Sequence, residues 1–275
     1  VLGVSLAVIA FVGGIALLTF ASDKAVEHSI IVAKAIGMSP FLIGFLLVAL
    51  GTDLPEIANS VTSCALGHGD ITVGDSLGSV LTQITLVPGI LAFLGGTFRL
   101  IRKEIVVLGA CQILAVMLSI SIVEKGYFTR LNGLFLVLSW VIFMLLSSRA
   151  VPKRHREIVP VNRWYHIGIA VLGFIGVAIG AFMFVQSIIA LSTFLGLHEY
   201  IISFFVASIG TSLPEFVVDL AAIRRKQYEL AIGDIIGSCV VDASLSIGIG
   251  QMLFPTQISG ELAKITGLYA LMASI

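Results

Sequence analysis

Gly210-Thr211-Ser212-Leu213-Pro214-Glu215 sets a proline and a carboxylate in the middle of an apolar run that extends from Ile201 to Ile223. A charged side chain inside a membrane-length segment is costly, and one that is retained there marks an ion or proton site. The same pattern stands earlier in the chain as Gly51-Thr52-Asp53-Leu54-Pro55-Glu56. Each copy is followed at equal spacing by a second motif, Gly74-Asp75-Ser76-Leu77-Gly78-Ser79 and Gly233-Asp234-Ile235-Ile236-Gly237-Ser238. Two motifs held at one offset make the chain a duplication, with the duplicated chemistry inside the membrane.

Composition agrees. The chain of 275 residues is 58% hydrophobic and 12% charged, with a mean hydropathy of +1.09, whereas soluble domains carry about 25% charged residues. The expected class is an all-α polytopic membrane protein. A net charge of zero, with the basic residues in short clusters between apolar runs, argues against a nucleic-acid partner. Cys64, Cys111 and Cys239 are odd in number, contain no CxxC and sit in or beside apolar runs, so they read as packing residues and not as a disulfide frame or zinc site. Val1–Phe20 is too long for a signal-peptide core and is read as a mature helix.

Segments of about 20 apolar residues cross a bilayer core. Nine are expected, over roughly Leu2–Ile31, Pro40–Leu66, Ile71–Gly95, Glu104–Ile122, Arg130–Leu146, Trp164–Ala190, Tyr200–Ile223, Leu230–Phe254 and Gly260–Ile275. The break at Ser147–Arg163 carries Arg149, Lys153, Arg154, Arg156 and Arg163 and reads as a cytoplasmic loop. Counting outward, Arg99, Arg102, Lys103, Arg224, Arg225 and Lys226 fall inside, and Lys125, Arg130 and Lys264 fall outside. The loop after the first motif helix, Gly67–Asp70, then lies outside and its counterpart at Arg224–Lys226 inside, so the repeats are inverted. Five helices per repeat produce that inversion automatically, and inverted repeats are a recurring plan of secondary transporters. The expected organisation is a first repeat over residues 1–147, a basic loop over 148–163 and a second repeat over 164–275 without its last helix.

Proline removes a backbone hydrogen bond and clashes one turn back. Pro55 and Pro214 are expected to free carbonyls near Ala49, Leu50 and Gly51, and near Ser208, Ile209 and Gly210. Those carbonyls, with Thr52 and Glu56 or Thr211 and Glu215, form sets of hard oxygen donors. Such sets suit calcium or sodium better than a transition metal, since no His or Cys converges there. Gly74, Gly78, Gly233 and Gly237 form small-residue seams. Ser79 and Ser238 project at the crossings, with Gln83 and Asp242 one turn further. Asp219 reads equally as part of an access path or as a packing acid. Asp23 and Lys24 are expected to pair with each other or to reach for the interface. His28, His68, His155, His166 and His198 fall near helix ends and loops.

The GT-x-LPE and G-x-x-x-G-S motifs, repeated in inverted copies with nine shared identities (Gly51, Thr52, Leu54, Pro55, Glu56, Gly74, Asp75, Gly78, Ser79 and their partners), resemble the alpha-repeats of the sodium/calcium exchangers, within the cation/calcium antiporter superfamily. The likeness spans essentially the whole chain. It implies ten helices, of which about nine lie in this chain, and ion sites at the midplane between the second, third, seventh and eighth. It implies calcium ligation by Glu56 and Glu215 with the backbone of Thr52 and Thr211. It further implies flanking sodium sites that draw on Ala49, Thr52 and Ser79, and on Ser208, Thr211, Ser212 and Ser238. Asp242 fits a variant of the pattern. Asp53, Asp75, Asp234 and Gln83 depart from it, and carboxylates this close cannot all stay ionised without cations. The Asp53 position is therefore expected to alter the counter-ion.

These residues point to a non-enzymatic antiporter without a cofactor, exchanging calcium for sodium by alternating access, with protons or potassium as the alternative counter-ion. It is expected in the cell membrane with its N-terminus outside. Its partners are inorganic cations and the lipid bilayer. An ion channel fits two broken inverted helices poorly, and an intramembrane hydrolase has no use for the Thr and Ser oxygens.

Overall fold

The computed structural model describes residues 2–35, 53–95, 102–148, 162–224 and 228–275. Among them the chain is helical, with one isolated antiparallel bridge between Tyr127 and Gln257. The helices are α1 (Leu2–Ala35), α2 (Leu54–Ala65), α3 (Gly69–Leu81), α4 (Val87–Gly95), α5 (Arg102–Val123), α6 (Arg130–Ser148), α7 (Arg163–Leu195), α8 (Glu199–Ile202), α9 (Ser208–Thr211), α10 (Leu213–Arg224), α11 (Tyr228–Val241), α12 (Ile247–Leu253) and α13 (Gly260–Ser274). Single π-helical turns at Thr82–Leu86, Ser203–Ala207 and Asp242–Ser246 join α3 to α4, α8 to α9 and α11 to α12. The described elements therefore amount to nine rods.

The duplication shows in the boundaries. Helices α2 and α10 are both 12 residues long and open on the same Leu-Pro-Glu, at Leu54 and Leu213. The π turns that open at Thr82 and Asp242 fall at matching places in the third rod of each half. Helices α1 and α7, the first of each half, pack along most of their length and run antiparallel. Gly14 faces Gly180 and Phe184, Ala21 faces Gly176, and Ala25 faces Gly173. Equivalent helices that run in opposite directions are what inverted repeats require. Glycine makes this approach possible: a Cβ at Gly173 would lie 2.7 Å from the Ala25 nitrogen.

Among the described residues four helical stretches, over Gly3–Ser29, Val106–Val123, Arg163–Leu195 and Ala231–Leu253, are long and apolar enough to cross a membrane, and Arg130–Leu146 and Glu199–Thr211 are shorter apolar helices. Leu6, Ile9, Phe20, Leu131, Leu172 and Met272 point outward with most of their surface uncovered, which suits hydrocarbon and would be a liability in water. The interior is inverted in character, since it holds Asp53, Glu56, Asp75, Glu215, Asp219 and Asp242.

One detail differs from the sequence reading. Lys24 pairs with Glu27 at 2.7 Å and not with Asp23, because three residues along a helix bring side chains onto one face while adjacent ones diverge. His28 and His166 join the ends of α1 and α7, with their Nδ1 atoms 2.8 Å apart. Most of the basic stretch between the halves, with Arg149, Lys153, Arg154, His155 and Arg156, lies outside the described residues, as do Arg99, Arg225 and Lys226. All three cysteines are buried and outside any disulfide, as packing residues should be.

Candidate functional site

The two proline motifs make the same break. Asp53 precedes α2 with φ −83° and ψ 8°, and Ser212, between α9 and α10, has φ −81° and ψ 6°. Each break starts a new helix that delivers a glutamate in its first turn, Glu56 on α2 and Glu215 on α10. Of the carbonyls expected to be freed, that of Ser208 still accepts the Ser212 N–H at 3.1 Å, because the helix closes its last turn before the break. Ala49 and Thr52 lie outside the described residues.

The second motif packs these helices together on the described side. Gly74 lies under the Tyr200 carbonyl and Gly78 under the Phe204 carbonyl, which brings α3 against α8 and α9. Ser203 locks the contact by donating to the Ile71 carbonyl at 2.8 Å. No described atom comes within 4 Å of a Cβ placed at Gly233 or Gly237, and the segment that the duplication would set against them precedes Asp53, outside the described residues.

Around this crossing the side chains gather from both halves. Glu215 is in electrostatic reach of Glu56, Asp53 and Asp242, and Asp242 of Glu56, Asp53 and Asp75. Thr211 is close to Glu56. The Thr211 hydroxyl donates to Asp75 Oδ1 at 3.0 Å and lies 3.4 Å from the Ser79 hydroxyl. Gln83 and Asp242 each stand in a π turn, a distortion that frequently marks functional positions. Gln83 Oε1 lies 3.5 Å from the Cys239 thiol. Ser208 donates to the Phe204 carbonyl at 2.6 Å, so its hydroxyl is engaged in its own helix. Ser212 and Ser238 are buried with hydroxyls that have no hydrogen-bond partner.

The carboxylates are the telling groups. Both oxygens of Asp53, Glu56, Glu215, Asp219 and Asp242 are buried without a hydrogen-bond partner. Leaving even one buried carboxylate charged and uncompensated costs about 3–5 kcal/mol, so each of these groups is either protonated or met by a positive charge. Among the described residues no three His, Cys, Asp or Glu side chains are arranged to hold a metal ion by themselves. Any ion here therefore draws on hydroxyl and main-chain oxygens as well, the hard donor mixture that calcium accepts.

Sequence reasoning missed Asn59. Its amide donates to Asp75 Oδ2 at 2.5 Å, so Asp75 is held from two helices while the other acids are not. An amide one turn beyond Glu56 in an apolar segment was the available signal. Asp219, read equally as a path residue or a satisfied packing acid, is fully buried and unsatisfied.

Comparison with known proteins shows the family. The sodium/calcium exchanger MaX1 of Methanosarcina acetivorans is 24% identical over 290 residues, covering 90% of this chain and 83% of that protein. The solved sodium/calcium exchanger from Methanococcus jannaschii matches with a TM-score of 0.60 at 27% identity, over 98% of this chain and 90% of that one. An H+/Ca2+ exchanger, CAX, shares the fold with a TM-score of 0.76 at 16% identity, over 98% of this chain and 73% of its own. The family profile described as sodium/calcium exchanger protein matches residues 6–149 and 165–274. Duplicated antiparallel halves, their paired breaks and this match together make the chain a member of the sodium/calcium exchanger protein family.

Proposed function

We propose that the chain is a secondary antiporter that exchanges calcium for sodium across the membrane by alternating access. The observation that carries the reading is the meeting of Glu56 and Glu215, delivered by matching helix breaks from antiparallel halves and buried beside Asp242 without partners. Calcium would bind there. Glu56 and Glu215 supply the charge, with main-chain oxygens at Thr52 and Thr211 completing the shell. Sodium would occupy flanking places, one drawing on Ala49, Thr52 and Ser79, the other on Ser208, Thr211, Ser212 and Ser238.

Helices α1 and α7 meet along a glycine seam and bear on α2 and α9, so they are the elements that could slide as one body and expose one side of the site at a time. Residues 1–147 and 164–275 act as the two repeats, joined by the basic loop at 148–163. The Lys and Arg distribution sets that loop in the cytoplasm and the N-terminus outside, which makes calcium extrusion driven by inward sodium the natural direction. The protein needs no cofactor.

A second reading, with protons or potassium as counter-ion, is favoured by one observation: Asp53 stands where the other half has Ser212, on the same backbone shape.

The test is uptake of radiolabelled calcium into proteoliposomes under imposed sodium, potassium or proton gradients, with Glu215→Gln as control. Sodium-driven uptake that vanishes in the variant is expected. Uptake that ignores every gradient, or that survives in Glu215→Gln, would overturn the antiport reading.

A further inference from the structure

Asp242 has no neighbour on another helix that grips its side chain. Both of its carboxylate oxygens are buried without a hydrogen-bond partner, and the Ser246 hydroxyl that faces it belongs to the same π turn and is itself unpartnered. Asp75, by contrast, is held by Asn59 and Thr211 from two other helices. The direction of Asp242 is therefore left to its backbone, and that backbone is the π turn Asp242–Ser246. A π turn carries more residues than an α-helical turn, and an α-helix rotates by about 100° per residue. Relaxing the turn to α-helix would swing Asp242 relative to the rest of its rod.

Two hydroxyls hold the turn. Ser244, inside it, donates to the Val240 carbonyl. The π turn of the first half has the same arrangement at the mirrored positions, where Thr85 donates to the Leu81 carbonyl at 2.5 Å, so this hold belongs to the duplicated design. The other hold comes from a helix that carries neither motif. Ser119, on α5 and fully buried, donates to the Ala243 carbonyl and lies closer to it than to the Ala115 carbonyl of its own helix, 3.0 Å away. A helical serine ordinarily bonds back to its own preceding turn, so a reach across to the neighbouring rod, at the residue after Asp242, is what the crossing of α5 with the turn imposes. Around this contact Ala115, Val116 and Ile120 pack with Val240, Val241 and Ala243 in one apolar cluster, and such side chains offer the carbonyl no donor.

We propose that Ser119 is a positioning residue of the ion site: by holding the Ala243 carbonyl it fixes the register of the π turn and keeps Asp242 turned toward Glu56 and Glu215. This rests on the antiport reading above, since the aim of Asp242 matters only where the crossing binds the transported cation. Asp242 is in electrostatic reach of both glutamates, and turned away from them it would add no charge to the shell of an ion there.

The test is equilibrium binding of calcium to the purified protein in detergent, followed by gradient-driven uptake of radiolabelled calcium in proteoliposomes. Ser119→Ala removes one oxygen and adds no bulk. It should raise the calcium dissociation constant and the half-saturating calcium concentration by about 10-fold, while the maximal rate stays near that of the wild type. Ser119→Thr, which keeps the hydroxyl, should restore binding, and Ser121→Ala, on the exposed face of the same helix, should bind as the wild type does. In an Asp242→Ala background Ser119→Ala should add nothing, because the group it positions is gone; if that background binds too weakly to read, Asp242→Asn takes its place. Should Ser119→Thr not fold, the Asp242 comparison alone decides. Wild-type affinity in Ser119→Ala, or the same 10-fold loss with and without the Asp242 carboxylate, overturns the positioning role. A wild type that binds calcium but moves it under no gradient leaves that role standing and removes the antiport reading, and a wild type that binds no calcium removes both.

Discussion

The two sides of the site share a backbone and differ in charge. Asp53 and Ser212 adopt the same turn, with φ −83° and ψ 8° in one and φ −81° and ψ 6° in the other. Yet one side carries Asp53 and Asp219 with both carboxylate oxygens buried and unpartnered, and the other carries Asp75 held by Asn59 and Thr211. Between them stand Glu56 and Glu215, equivalent in position and both unpartnered. The break is therefore set by what the halves have in common, the Leu-Pro-Glu that follows it, and the residue at the break itself is free to vary. A symmetric scaffold has kept a common centre and let its flanks diverge.

The largest effect should come from the centre, where the sides are alike. Glu56→Gln and Glu215→Gln should each lower gradient-driven calcium uptake by on the order of 100-fold, since each removes a buried charge from an ion's shell; a large difference between the two variants would show that the centre is not symmetric in use. The flank comparison comes next. Asp53→Ser copies the residue of the other half and should shift the half-saturating concentration of the driving cation by about 10-fold, whereas unchanged cation selectivity and dependence would remove Asp53 from the coupling.

Stability separates the sides on a smaller scale. Asn59→Leu strips Asp75 of one donor and should cost about 1–3 kcal/mol, seen as a lower thermal midpoint in detergent. Gly78→Ala should cost a similar amount, about 1–3 kcal/mol, by overpacking, because the added Cβ would collide with the Phe204 carbonyl oxygen.

Much of this was legible in the chain. The constant offset between motif copies announced the duplication, the Lys and Arg placement announced the inversion, and the antiparallel contact of α1 and α7 matches both. Periodicity marked the rods but not the π turns, because one extra residue in a turn leaves no mark on an apolar pattern. Glu56, Glu215 and Asp242 were readable as acids that lipid forbids. Asn59 gave a weaker signal, since an amide in an apolar helix carries a smaller burial penalty than a charge. Asp219 and Asp234 were visible as acids, but their meeting with Asp53 was not, since they come from three helices and from both halves.

By itself, then, the sequence determined composition, duplication, inversion and the two places where helices break, because each depends on local residue chemistry repeated at a fixed distance. The tertiary structure alone decided which acids share a neighbourhood and which have donors. Pairing across helices depends on crossing geometry, on a glycine that lets α3 approach α9 and an amide that reaches Asp75, and no pattern along the linear chain encodes that distance.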